Sequence, residues 1–175
     1  MLTKRTMDEL NRMDEKAFRD APKLSVVLVL DNIRSGLNVG SIFRSADAFR
    51  ISEIVCCGIT PSPLHREVLK TALGATATVA WRSEPDTVAT IFALKNSGFQ
   101  IVAIEQCEGS MLLHDWKPVL PIALVLGNEV HGVQEEALAS CDLGVEIAQY
   151  GTKHSLNVAV AAGVVLHHLA VSVAS

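Results

Sequence analysis

Residues 24–44 read L-S-V-V-L-V-L-D-N-I-R-S-G-L-N-V-G-S-I-F-R. The first seven are apolar but for Ser25, as in a strand buried on both faces of a sheet. After a polar loop the period changes. Val39, Ile42, Phe43, Ala46 and Phe49 share one helical face, which predicts a helix over 39–50. Asn38 stands where it can cap that helix, and Gly40 suits close packing. Arg44 points almost directly away from the apolar stripe, beside Ser41, Ser45 and Ala48. That outer face suits solvent, or a partner surface that offers a guanidinium to phosphate.

The strand–loop–helix unit recurs along the chain. Apolar runs predict strands at 24–30, 53–57, 78–81, 99–105, 122–126 and 143–147, and helical patterns fall at 39–50, 64–73, 84–96, 133–140 and 155–173. Strands alternating with helices imply an α/β fold with a mostly parallel six-stranded sheet flanked by helices. Ahead of it, residues 6–20 read as a helix: Thr6 and Glu9 have capping-box spacing, Met7, Leu10, Met13 and Ala17 form a stripe, and Pro22 stops it. The expected division is therefore a helical extension at 1–23 and one domain over 24–175.

At 175 residues, 49% hydrophobic and 19% charged, the composition suits one globular domain and argues against disorder. The most apolar run, Val158 to Leu166, is too short to span a membrane. No secretory signal is expected at the start. Cys56, Cys57, Cys107 and Cys141 lack metal-ligand spacing and read as free thiols in a reducing, cytoplasmic setting. The net charge of −4 is unevenly spread: residues 1–70 carry 11 Lys and Arg against 9 Asp and Glu, the remainder 4 against 10. A polyanion would meet the first half, through Arg34, Arg66 and Lys70 with Lys4, Arg5 and Arg12.

In open parallel sheets ligands gather beyond the carboxyl ends of the strands. Two more loops there resemble the first in richness of Gly, Asn and charge. Leu124–Val133 reads L-V-L-G-N-E-V-H-G-V: a buried strand ends at Gly127, turns through Asn128, Glu129 and His131, and enters a helix after Gly132. It lacks the G-x-G-x-x-G of a dinucleotide site. Ile147–Gly163 reads I-A-Q-Y-G-T-K-H-S-L-N-V-A-V-A-A-G, a polar loop feeding a helix apolar on nearly every side. Ser155 is a candidate cap. Asn157 then falls in an apolar first turn, where its amide needs backbone partners or faces a site. His154 is a candidate general base.

Taken in order, the three segments resemble the three motifs of the SpoU/TrmH family of RNA ribose 2′-O-methyltransferases, in the SPOUT superfamily. The N-x-G-x-x-x-R motif falls on Asn38, Gly40 and Arg44, and the G-x-E-x-x-G motif on Gly127, Glu129 and Gly132. The third motif falls on Gly151, Ser155, Leu156, Asn157, Val158, Val160 and Ala161, and Lys70–Ala75 (K-T-A-L-G-A) matches a recurrent segment. The family often has proline where this chain has Ala148, which loosens that turn without removing a functional group.

The resemblance implies a deep carboxyl-terminal trefoil knot, a homodimer with active sites at the interface, and S-adenosyl-L-methionine as methyl donor. It places the donor against Leu126, Gly127, Asn128, Ile147, Ala148, Gly151, Ser155 and Leu156, and the chemistry on Arg44 with Asn38, Glu129, Ser155 and Asn157. No metal is expected. RNA is the implied substrate, tRNA ahead of rRNA. The readings kept open are methylation of another RNA atom and a non-catalytic RNA-binding or assembly factor on the same scaffold.

Overall fold

The computed structural model describes residues 2–6 and 8–174; Met7, expected in the leading stripe, lies outside the described residues. Among them seven strands form one sheet: β1 (Leu24–Asp31), β2 (Ile51–Cys57), β3 (Ala80–Glu84), β4 (Gln100–Ile104), β5 (Met111–Leu112), β6 (Ile122–Leu126) and β7 (Leu143–Glu146). Their order is β3-β2-β1-β6-β4-β7-β5, and every neighbouring pair is parallel. The expected count of six is thus corrected to seven. The addition, β5, is two residues long, too short to display a period of two.

The helices are α1 (Glu15–Asp20), α2 (Gly36–Ala48), α3 (Arg66–Ala72), α4 (Ala75–Thr78), α5 (Thr87–Asn96), α6 (Glu135–Ala139) and α7 (Val158–Ala174). Strand periodicity sorts them into two layers. Val26, Leu28, Leu30, Ile122, Leu124 and Leu126 pack with Val39, Ile42 and Phe43 of α2, Val68 of α3 and Val165 and Leu169 of α7. The alternate residues Val27, Val29, Ala123 and Val125 pack with Ile91 and Leu94 of α5 and Ala137 of α6. β1 and β6 are therefore buried on both faces, as their apolar runs require. Each fully buried Leu, Ile or Phe contributes about 1.5–3 kcal/mol. No helix among the described residues is long and apolar enough to cross a membrane.

Three local expectations are revised. The leading segment is not one helix. Thr6 and Glu9 do exchange capping-box bonds, at 2.6 and 3.3 Å, but they close only a 3-10 turn at Asp8–Leu10. Asn11 then turns left-handed (φ 46°), and α1 starts afresh under Asp14, whose carboxylate accepts the Ala17 N–H. Asn38 does not cap α2: Ser35 does, accepting the Asn38 N–H at 3.3 Å. Asn157 rather than Ser155 caps α7, its Oδ1 accepting the N–H groups of Ala159 (2.9 Å) and Val160 (3.3 Å). The small outer face of α2 is partly used within the chain, since a Cβ on Gly163 of α7 would lie 3.8 Å from Ser45 Oγ.

Candidate functional site

The loops after β1, β6 and β7 meet at one end of the sheet, fastened to one another by side chains. Glu129 accepts from the backbone N–H groups of Arg34 (2.9 Å) and Ser35 (3.0 Å) and from the Asn38 amide (2.8 Å). Asn38 Oδ1 in turn accepts from Asn157 Nδ2 at 3.0 Å. One chain of contacts, Glu129–Asn38–Asn157, thus joins all three segments singled out in the sequence. Partial burial pushes the Glu129 carboxyl upward, but the bonds from Arg34, Asn38, its own backbone and Ser35 outweigh it and hold the group below the ordinary 4.5. Asn128 adds a second fastening, donating to the Asn32 carbonyl at 2.6 Å while its Oδ1 accepts the N–H groups of Val130 and His131.

Beneath these loops lies a cavity of about 690 Å³. Its apolar floor includes Ile104, Leu126, Val145 and Ala161, and its rim includes Glu105, Glu129, Glu146, His131 and His154. Of the expected donor residues, Leu126, Gly127, Asn128, Ile147, Ser155 and Leu156 line it, as do Glu129 and Asn157. Ala148 and Gly151 lie on the same β7–α7 segment outside the lining, and Asn38 stands behind the wall rather than in it. The glycines of the second motif are demanded by packing. A Cβ on Gly127 would fall on the backbone of Gly132 and Val133, and Gly132, at φ 67°, leaves no room beside the Glu105 carboxylate.

Arg44 is elsewhere. It lines a second cavity of about 390 Å³ with Met13, Asp14, Phe18, Asp47, Leu73 and Gly74, so the K-T-A-L-G-A segment and the leading residues meet around it. Its guanidinium makes no hydrogen bond or ion pair with any described residue, and Asp14, Glu15 and Asp47 are turned to the Ala17 N–H, Arg19 and Thr78. Arg34, Arg66 and Lys70 are exposed and line neither cavity.

The sequence reading missed three polar residues of this end. Asp31 is fully buried at the end of β1. Glu105 accepts the Val133 N–H at 3.0 Å, and Gln106 donates to the His154 carbonyl at 2.7 Å, tying the loop after β4 to the segment before α7. Each sits at the carboxyl end of an apolar run, the one signal that marked them. The cysteines are free, and burial pushes Cys56 and Cys141 up to about 12. Among the described residues no group of three or more His, Cys, Asp or Glu is placed to hold a metal.

Comparison with known proteins places this geometry. The chain is 33% identical over 152 residues to the 23S rRNA (guanosine-2′-O-)-methyltransferase RlmB of Neisseria meningitidis, covering 87% of this chain and 60% of that one. It is 32% identical over 165 residues to the tRNA (guanosine(18)-2′-O)-methyltransferase of Thermus thermophilus, covering 94% and 83%. The chain thus spans less than two thirds of the length of several curated relatives it matches. Among solved structures, the TrmH/SpoU tRNA modifying enzyme of A. aeolicus superposes with a TM-score of 0.80 at 26% identity, over 90% of this chain and 79% of that one. AviRb of Streptomyces viridochromogenes, solved in complex with the cofactor AdoMet, gives 0.76 at 25%, over 90% and 61%. The model of the SpoU rRNA Methylase family matches residues 25–167, the span that holds the sheet but for Leu24, the lining of the larger cavity and all three fastened loops. On this match, the chain belongs to the SpoU rRNA Methylase family.

Proposed function

We propose that the chain is an S-adenosyl-L-methionine-dependent RNA methyltransferase acting on a ribose 2′-hydroxyl, of tRNA ahead of rRNA, as a cytoplasmic homodimer. The observation that carries this reading is the cavity built by the second and third motif loops, with the first loop fastened behind it. Its lining fits the donor. The apolar floor suits an adenine ring, and Glu105, Glu129 and Glu146 line the cavity with no Lys or Arg among the described lining residues, which suits a cation. Leu126, Gly127, Asn128, Ile147, Ser155 and Leu156 would hold it, with Ala148 and Gly151 in the flanking turn. When bound, the donor supplies a methyl group already activated by its sulfonium charge.

Arg44 acts on the RNA side. A guanidinium holds its proton too tightly to serve as a base. Its planar fork instead grips a phosphate and stabilises the developing oxyanion, while phosphate or water takes the hydroxyl proton. Asn38, Glu129, Ser155 and Asn157 shape the pocket. Because Arg44 and the donor cavity do not coincide within one chain, the reading requires a second copy to bring them together. Val160 and Val164, 53% and 40% exposed on one face of α7, supply an apolar surface for it. Arg34, Arg66 and Lys70 extend the RNA surface. Residues 24–175 form the catalytic domain with the family's trefoil knot, and 1–23 an extension that walls the Arg44 cavity.

The test joins donor calorimetry, sedimentation at low micromolar protein, and nucleoside mass analysis of unmodified tRNA and rRNA transcripts after reaction. Donor binding, a dimer mass and a ribose-methylated nucleoside are expected. A base-methylated nucleoside moves the reaction to another atom. Absence of donor binding leaves the RNA-binding or assembly reading.

A further inference from the structure

Asp31 carries a carboxylate that the reading above leaves without a task. It is 0% exposed, ends β1 in the interior of the sheet, and makes no ion pair among the described residues. A buried, unpaired charge is costly and is kept only where hydrogen bonds hold it. Here three do, each from a different part of the chain. Oδ1 accepts from Thr87 Oγ1, on the first residue of α5, at 2.6 Å, and from Asn32 Nδ2 at 2.9 Å. Oδ2 accepts the backbone N–H of Gln134 at 2.8 Å.

Gln134 is where the loop after β6 leaves the donor cavity and enters α6, and its own side chain makes no capping bond. The entrance of that loop is fixed by Asn128 on the Asn32 carbonyl and its middle by Glu129 on the β1–α2 loop. Asp31 fixes the exit. Thr87, itself buried, holds Oδ1 and so aims Oδ2 at Gln134. Neither Asp31 nor Thr87 lines the cavity.

We propose that Asp31, aimed by Thr87, is a positioning residue for the donor site: it sets the path of residues 127–134 and thereby donor affinity, without touching donor or RNA. This rests on the donor reading above. Asp31→Asn leaves one oxygen where two are used, so either Gln134 or the Thr87 side loses its acceptor. Thr87→Val removes the aiming hydroxyl, keeps the charge, and separates positioning from any long-range attraction between Asp31 and a cationic donor.

The experiment is calorimetry of S-adenosyl-L-methionine with the full chain, alongside kcat at saturating donor and thermal melting. Asp31→Asn should weaken donor binding about tenfold and Thr87→Val about threefold, the scale of one lost buried hydrogen bond, with kcat changed less than about threefold. The double variant should bind no worse than Asp31→Asn alone, because Thr87 works through Asp31. Unchanged donor affinity in either folded variant overturns the proposal, whatever the melting temperature does. So does full additivity, or a loss confined to kcat. Should Asp31→Asn fail to fold, Thr87→Val decides alone. A wild-type chain that binds no donor removes the donor reading and this inference together, whereas wild-type binding with indifferent variants removes only this inference.

Discussion

The two cavities are held in opposite ways. Around the larger one the Asn and Glu side chains of the motif loops are fastened: Glu129 takes three hydrogen bonds, Asn38 bridges it to Asn157, Asn157 also caps α7, and Asn128 both donates and accepts. Around the smaller one, Arg44 offers its donors to no described residue, while the carboxylates beside it bond elsewhere. A family motif therefore mixes two kinds of residue. Those fastened shape loops, and their loss is felt first in folding and donor affinity. Arg44, bonded to no described residue, is available to a ligand, and its loss is expected to be felt in turnover. Besides the role proposed for them in the pocket, Asn38 and Glu129 hold the motif loops together.

The largest expected effect sharpens that contrast. Arg44→Ala removes an exposed side chain opposite the buried stripe of α2, so it leaves no core cavity and breaks no bond to a described residue. Turnover should fall about 100-fold or more, the scale of one lost charge-stabilising group, with melting temperature and donor affinity unchanged. Arg44→Lys should recover little if the planar fork matters. Near-normal turnover, or a large loss of stability, would erase the distinction between the two cavities.

A middle-sized effect is expected from Glu129→Gln. The glutamine keeps one acceptor and turns an amide donor toward the N–H groups of Arg34 and Ser35, so stability at pH 7 should drop by about 1–2 kcal/mol. Because the folded carboxyl sits below its ordinary 4.5, its contribution is fully present above that value and is lost as pH falls through the folded pKa. The gap between wild type and variant in denaturant titrations should therefore be constant near neutrality and close under acid conditions. A gap that persists in acid would mean that Glu129 acts through shape rather than charge.

This division was only partly legible in the sequence. β1 and β6 show themselves because burial on both faces leaves an apolar run, and α2 because its stripe keeps the 3.6 period through Val39, Ile42, Phe43 and Ala46. Where caps compete, local pattern misleads: Asn38 and Ser155 look like caps, but Ser35 and Asn157 take those places. That releases the Asn38 amide to bridge Glu129 and Asn157. The buried Asp31 looks like any acidic residue after a strand, since its partners Thr87 and Gln134 lie 56 and 103 residues away. The separation of Arg44 from the other motif loops is a tertiary fact with no local signature.

The smallest expected effect concerns the motif glycines, which look alike in sequence and differ in space. Gly127 has no room for a Cβ against the Gly132–Val133 backbone, so alanine there must displace the loop that walls the larger cavity. Gly151 has no described atom within 4 Å of a built Cβ, and its φ lies outside the left-handed region. Alanine at 151 should therefore be accepted without strain and, by restricting the unfolded chain, should stabilise the protein by about 0.5 kcal/mol. Donor affinity should stay within about twofold of wild type, since Gly151 does not line the cavity. Melting and calorimetry of the single variant read both quantities. A marked loss of donor or RNA affinity with folding intact would show that a ligand closes on the Gly151 backbone. The polar segment before α7 would then belong with Arg44, among the parts that the fold leaves free for a ligand, rather than with the fastened loops.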